Sequence, residues 1–335
     1  MIQLFSVFLI INLLIYINLN KLSTFININD KPDGKLKKHK NVIPLLGGSI
    51  FFINFFAFIL FSIFSNNEII LLPLSNREFF SIFFFIFSFY LLGLYDDKFK
   101  LKPEKKFILG ILISIVVLSI NKNLLITNIK ISFYDQIIFL NNFKFFFTIF
   151  CIIILINALN FYDGINGQSL IFFIIIYSFL AYKSSLTVFY LFIILNLIFL
   201  LILNLKNKIF LGDNGIYLIG TVLIVSIIYE HNKLKSIIFA DEIFFLLILP
   251  GYDLLRLAAT RIFKGKNAFY GDRNHIHHLL NRKLSTIFTN ILMIILVVTP
   301  IALFSFFGLN FFLVLLVFSI LYIAIIIYFK KKSLN

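Results

Sequence analysis

Two adjacent carboxylates, Asp96 and Asp97, end an apolar run, and a lysine-rich segment follows within a few residues (GLYDDKFKLKPEKKF, residues 93–107). Carboxylates set side by side repel, so either one is protonated or both share a cation. Mg²⁺ takes carboxylates together with substrate phosphates, which makes a diphosphate the natural counterpart. Lys105 and Lys106, about one helical turn beyond Pro103, can reach a phosphate as point charges. By itself an Asp-Asp pair also reads as a solvated turn at a membrane surface. Its company favours chemistry, because further polar clusters stand at the ends of other apolar runs.

The first of these is DKPDG (30–34), followed by Lys37, Lys38, His39 and Lys40, with Pro44 and Gly47-Gly48 opening a helix. Basic residues beside a membrane hold topology or attract anionic lipid, while a glycine pair at a helix start lets a phosphate or another helix approach closely. Next is NALNFYDGING (157–167), where Asn157 and Asn160 share one helical face with Asp163 next on the same line. Amides there serve as helix-packing glue or as ligands, and Gly164 and Gly167 then break the helix. In FLGDNG (210–215), Asp213 is an N-terminal cap or a further Mg²⁺ ligand. The last cluster runs from Arg261 through Asp272-Arg273-Asn274-His275-Ile276-His277-His278. Without a partnering Cys or a distant His pair, these histidines fit a nucleotide phosphate better than a closed zinc site.

The elements that must carry these groups are membrane helices. Of the 335 residues, 61% are hydrophobic and 13% charged, with mean hydropathy +1.01, which excludes a soluble globular domain. Apolar runs near 2–20, 43–64, 79–95, 106–121, 143–159, 169–182, 186–205, 214–230, 237–262, 286–307 and 310–329 predict an all-α polytopic membrane protein of about 11 transmembrane helices. The ninth is broken by Pro250-Gly251, and the helix interiors read as bare of charge. The first run lacks a basic leader and a cleavage site, as expected of a retained helix. Most of the 30 Lys and Arg residues fall in the connections of one face. The other face keeps only Arg77, Lys122, Lys130, Lys144, Lys183, Lys233 and Lys235. That asymmetry predicts an outside N-terminus and a cytoplasmic C-terminus, with every polar cluster on the cytoplasmic side. It also accounts for the net charge of +15 without nucleic acid as a partner. Phe and Tyr, 47 and 14 in number, must anchor the interfaces, since Trp is absent. The single cysteine, Cys151, lies in an apolar run and is expected to be inert.

Taken in order, the five clusters resemble the polyprenyl-phosphate N-acetylhexosamine-1-phosphate transferase superfamily, a glycosyltransferase family 4 type that starts lipid-linked glycan assembly. The resemblance runs from about Asp30 to His278. It rests on DKPDG with His39 and IPLLGG, LYDDKFKLKPEKKF, NALNFYDGING, FLGDNG and DRNHIHHLL. The last is similar to the variant of the branch that uses UDP-N-acetylglucosamine or related UDP-N-acetylhexosamines. The resemblance implies a single transferase domain over 1–335, with cytoplasmic catalytic loops near 21–42, 96–106, 158–168, 205–214 and 261–285, in a bacterial plasma membrane. It implies Asp96, Asp97, Asp163 and Asp213 as catalytic residues, Asp213 and Asp97 as ligands of Mg²⁺ (with Mn²⁺ as a substitute), and Asp96 as the base. Substrate binding falls to Lys106, Asn157, Asn160, Arg261, Asp272, His275, His277, His278 and His39. The implied partners are undecaprenyl phosphate, a UDP-N-acetylhexosamine and membrane lipid, with a homodimer allowed. Two departures stand out: Asn166 and Gln168 replace the family's second Asp and following Leu, and Ile216 replaces a Ser. Asn keeps the shape of Asp and loses its charge. The rival reading is a transporter or lipid flippase, which would need ionisable residues in mid-helix or matched broken helices.

Overall fold

The computed structural model describes residues 2–32, 41–64, 74–233, 236–265 and 274–331. In chain order its helices are α1 (Ile2–Ile17), α2 (Leu19–Ile26), α3 (Gly47–Phe64), α4 (Asn76–Phe99), α5 (Pro103–Ile120), α6 (Lys144–Tyr162), α7 (Gln168–Lys183), α8 (Thr187–Leu205), α9 (Gly212–Asn232), α10 (Ala240–Ile262), α11 (Ile276–Asn281), α12 (Thr286–Ile301) and α13 (Phe311–Lys331). Each apolar run is therefore helical. By length and composition, eight of the described helices can cross a membrane, or nine if α1 and α2, bent by 72°, are one span. Of the eleven expected spans, that criterion leaves out two: α7 has only 16 residues, and α5 carries Glu104, Lys105 and Lys106 in its first turns. All-α also needs amending, because two antiparallel two-stranded sheets occur. One joins β1 (Asn29–Asp30) to β2 (Ile43–Pro44), the other β3 (Asn128–Ile131) to β4 (Tyr134–Phe139).

Local chemistry sets several boundaries. At the start of α4, Ser75 and Glu78 form a reciprocal capping box. The same helix continues beyond the expected end of its run, to Phe99, and stops at Lys100 in the left-handed conformation. Asp96 and Asp97 consequently sit on a helix rather than in a loop. Pro103 opens α5 at a position where its missing N–H costs nothing.

The chain divides into two compact units, Met1–Leu124 with Ile176–Val225, and Leu125–Ile175 with Ser226–Asn335, so the divisions fall inside α7 and α9. In the first unit, three buried amides join α1, α3 and α8. Asn54 Nδ2 donates to Asn12 Oδ1 (3.0 Å) and to Asn196 Oδ1 (3.2 Å), and Asn12 Nδ2 donates back to Asn54 Oδ1 (3.2 Å). Aromatic packing surrounds them, with Phe58 stacked on Phe192 at 4.3 Å between ring centres. Hydrophobicity does not hold helices together inside lipid, so such amide contacts and close packing must. The 43–48 segment is fastened to the start of α9: Phe210 N–H donates to Pro44 O (2.9 Å) and Gly47 N–H to Phe210 O (3.0 Å).

In the second unit, the β3–β4 hairpin is tied to α10 by Asp241, which accepts the Ser132 N–H at 3.0 Å. Buried His231 contacts the carbonyls of Ile238 and Asn128. A π-helical turn, Ala302–Phe306, extends α12, and its Ser305 donates to Glu242 of α10 at 2.9 Å. The helix interiors are not wholly bare of charge, since Asp253 is buried midway along α10, whereas Glu230, Asp241 and Glu242, also buried, lie at helix ends.

Replacing Asn54 with Ala would leave the Asn12 and Asn196 amides short of partners in a dry core. The expected cost is about 1–2 kcal/mol, read as a lower thermal midpoint of the detergent-purified protein. Changing all three asparagines to Leu together should recover much of that loss, since no unsatisfied amide then remains.

Candidate active site

In the first unit the structure brings together Asp96 and Asp97 of α4, Lys106 of α5 and Asp213 of α9. Glycines permit the approach. A Cβ on Gly93 would lie 2.5 Å from the Asn214 Cα, one on Gly47 2.7 Å from the Leu211 Cα, and one on Gly48 would collide with Asn214. Gly212 has φ +75°, and a Cβ there would sit 2.8 Å from Asp97 Oδ2. The start of α9 is therefore seated against α3 and α4 by the absence of side chains.

Asp97 occupies that helix start. Its Oδ1 accepts the Asp213 N–H at 3.0 Å, and its Oδ2 accepts the Asn214 N–H at 3.0 Å and the Asn214 Nδ2–H at 2.5 Å. An acid from α4 thus satisfies amides of the first turn of α9, where the helix dipole favours negative charge. Asp96 is buried; its Oδ1 accepts the Leu101 N–H at 2.7 Å and its Oδ2 pairs with Lys106. The same ammonium lies 3.0 Å from Asp213 Oδ2. Lys106 is therefore a cation clamped between two carboxylates.

Among the described residues, no group of three or more His, Cys, Asp or Glu side chains could hold a metal ion unaided. The convergent donors are nonetheless carboxylate oxygens, the hard ligands that suit Mg²⁺, and Lys106 already marks a cation position between Asp96 and Asp213. Mg²⁺ is commonly held by one or two carboxylates and completed by substrate phosphates and water. Both oxygens of Asp97 are engaged by α9: Oδ2 accepts two hydrogen bonds, and Oδ1, which accepts one, retains a further lone pair. Its observed contact is with the helix that carries Asp213.

In the second unit, Asn157, Asn160 and Asp163 lie along the last turns of α6 and at its C-terminal cap. The Asn157 amide donates to Ile153 O of its own helix at 2.7 Å, and Asp163 Oδ1 accepts the Ser169 hydroxyl at 2.7 Å. Beside them stands a column of flat groups. The Arg261 guanidinium lies over the Phe161 ring at 5.6 Å, Phe161 stacks on His275 at 5.5 Å and 25°, and His275 stacks on His277 at 5.5 Å and 12°. His278 meets His277 edge-on, with 4.2 Å between ring centres. Gly164 makes room for the His277 ring, because a Cβ on it would collide with His277 Nε2. His277 is almost fully buried. Burial, with His278 and His275 beside it, holds its imidazole well below the usual range, so it is neutral. His39 and Asp272 lie outside the described residues.

Sequence reasoning passed over Ser169, Asn290 and Asp253. Asn290 of α12 holds the DGING loop by donating to Asn166 O at 2.9 Å, and Asp253 of α10 contacts His275. Only Asp253 had a visible signal, an acid inside the apolar LLILPGYDLL stretch.

Gly164→Ala should displace His277 and cost about 1–3 kcal/mol by overpacking, lowering the thermal midpoint. Gly251→Ala should not, because a Cβ there meets nothing within 4 Å. Equal midpoints for the two variants would contradict the contact between Gly164 and His277.

Comparison with known proteins agrees with these clusters. The model of glycosyl transferase family 4 matches residues 79–231, which include Asp96, Asp97, Lys106, Asn157, Asn160, Asp163 and Asp213. The chain is 29% identical over 292 residues to the undecaprenyl-phosphate alpha-N-acetylglucosaminyl 1-phosphate transferase of Salmonella typhi, covering 84% of this chain and 76% of the relative. The protein of that name from Escherichia coli strain K12 is 27% identical over the same length and coverage. That of Haemophilus influenzae is 26% identical over 279 residues, covering 78% of this chain and 74% of its own. With the acidic, DGING and histidine clusters all present in order, the chain is a phosphotransferase that resembles the polyprenyl-phosphate N-acetylhexosamine-1-phosphate transferases and matches glycosyl transferase family 4 over residues 79–231.

Proposed function

We propose that the enzyme transfers N-acetylglucosamine 1-phosphate from UDP-N-acetylglucosamine to undecaprenyl phosphate, at the cytoplasmic face of a bacterial plasma membrane. In this reading a phosphate oxygen of the lipid attacks the β-phosphorus of the nucleotide sugar. The bond from that phosphorus to the bridging oxygen breaks, UMP leaves, and a lipid-linked sugar diphosphate remains. The observation that carries the proposal is the convergence of Asp96, Asp97, Lys106 and Asp213 at the start of α9. The names of the relatives support this donor and acceptor, and so does the HIHH segment.

Phosphoryl transfer needs in-line positioning and neutralisation of charge more than covalent help. Two anionic substrates would repel each other and the acids. Asp97 spends its own charge on α9 and thereby fixes the backbone that carries Asp213. Lys106 offsets Asp96 and Asp213 in the resting protein, and its ammonium can turn to an arriving phosphate as a flexible point charge. Asp213 and Asp97 are the residues assigned to Mg²⁺, or to Mn²⁺ in its place; when bound, that ion would neutralise the diphosphate and the charge developing on the leaving UMP. With one oxygen paired to Lys106 and the other accepting Leu101 N–H, Asp96 is arranged for positioning rather than proton removal. The lipid phosphate needs no base, since its second pKa is about 6 and it is mostly dianionic at neutral pH. Asp163, Asn157, Asn160, Arg261 and the three histidines are assigned to the nucleotide sugar, together with Asp272 and His39.

Purified protein given Mg²⁺, undecaprenyl phosphate and a panel of UDP-sugars should release UMP, fastest from UDP-N-acetylglucosamine, and a chelator should stop it. Silence across the panel would end the proposal. Asp213→Asn should reduce release by about 10²-fold or more with normal membrane insertion; activity within a few fold of wild type would remove Asp213 from the site. Asp96→Asn should slow the reaction equally at all pH values, whereas recovery at high pH would identify a base.

A further inference from the structure

Asp253 is 3% exposed and sits within α10, yet it gathers three separate parts of the second unit. Its Oδ2 lies 2.8 Å from His275 Nδ1. Its Oδ1 accepts the Arg256 guanidinium at 2.6 Å and the Tyr322 hydroxyl of α13 at 2.9 Å. The Ile276 N–H, at the first residue of α11, meets both oxygens at 3.2 and 3.3 Å. Arg256 also donates to Asn274 O at 2.6 Å and, through Nε, to the Tyr322 hydroxyl at 2.9 Å. The carboxylate is therefore oriented by groups from α10 and α13 and grips the backbone and the first imidazole of the HIHH segment.

A carboxylate cannot donate, so the Nδ1 that faces it must carry the hydrogen, whether the ring is neutral or charged. That leaves Nε2 as the other functional atom of His275, and among the described residues no hydrogen bond reaches it. Its ring plane is set independently, by Phe161 on one side and His277 on the other. We propose that Asp253 is a positioning residue of this enzyme: by holding the Nδ1–H of His275, with Tyr322 and Arg256 steadying the carboxylate, it presents Nε2 to the nucleotide-sugar diphosphate. In the charged ring Nε2–H donates to a phosphate oxygen, and in the neutral ring Nε2 accepts from a sugar hydroxyl. The role assigned to His275 rests on the proposed function; the tautomer does not.

Selective ¹⁵N-histidine labelling of the full chain, with the His275 signals assigned by their loss in His275→Gln, reads the tautomer directly. Hydrogen on Nδ1 in the wild type, lost or exchanging in Asp253→Asn, is the expected result, and a wild-type ring protonated on Nε2 alone would overturn the proposal. In the UMP-release assay, Asp253→Asn should raise the KM for the UDP-sugar by about tenfold or more and leave that for undecaprenyl phosphate unchanged. Tyr322→Phe, which keeps the ring and its packing, should give a smaller change in the same direction. Equal shifts in both KM values, or none, would mark Asp253 as merely structural and refute the proposal. Should wild-type protein release no UMP, the proposed function falls, and the NMR result alone decides whether Asp253 sets the His275 ring.

Discussion

A carboxylate from one helix occupying the amide end of another is the contact on which the first unit's chemistry depends. Asp97 receives the first-turn N–H groups of α9 from 116 and 117 residues away. A helix start is electropositive and short of acceptors, so an acid seated there is stabilised twice, by the hydrogen bonds and by the dipole. Seating it requires the helices to come closer than ordinary side chains allow, which is why Gly47, Gly48 and Gly93 face the FLGDNG turn. Once α9 is fixed, Asp213 has one place to be, and Lys106 can hold it and Asp96 at once.

Charge balance then explains the composition of this cluster. Three acids converge in a chain whose net charge is +15, and Lys106, near the start of α5, meets two of them, Asp96 and Asp213. Asp97 is offset by backbone amides, so its negative charge is largely committed. Asp96 and Asp213 share a single ammonium, leaving an arrangement suited to exchanging a cation for a phosphate-bound one. Leu101 N–H further commits Asp96, and this is the physical reason for assigning it to positioning.

The second unit solves a different problem, the rigid presentation of flat groups. Phe161, His275 and His277 stack face to face, Arg261 closes one end of the column, and Gly164 makes room for the other. A neutral, buried His277 costs less than a charged one, and it packs like an aromatic ring. Asp253 binds this column to α10 and α13, so residues far along the chain contribute to a segment only a few residues long. The departures at Asn166 and Gln168 leave the DGING backbone held, because Asn290 bonds the Asn166 carbonyl rather than its side chain.

Much was determined by the sequence alone. The apolar runs became helices, and Ser75-Glu78 and Pro103 set helix starts, because such features depend on residues a few positions apart; the grouping of Asp213 with Asp96, Asp97 and Lys106 was implied by the resemblance, not by spacing. Span number was less legible, since hydropathy does not register the 72° bend after α1. The extension of α4 beyond Asp97, the amides linking α1, α3 and α8, the Gly164–His277 contact and the Asp253 hub were decided only by tertiary structure. Each depends on which distant group arrives opposite a buried polar atom. Spacing along a chain says which side chains share a helix face, but it cannot say what another helix will place against that face.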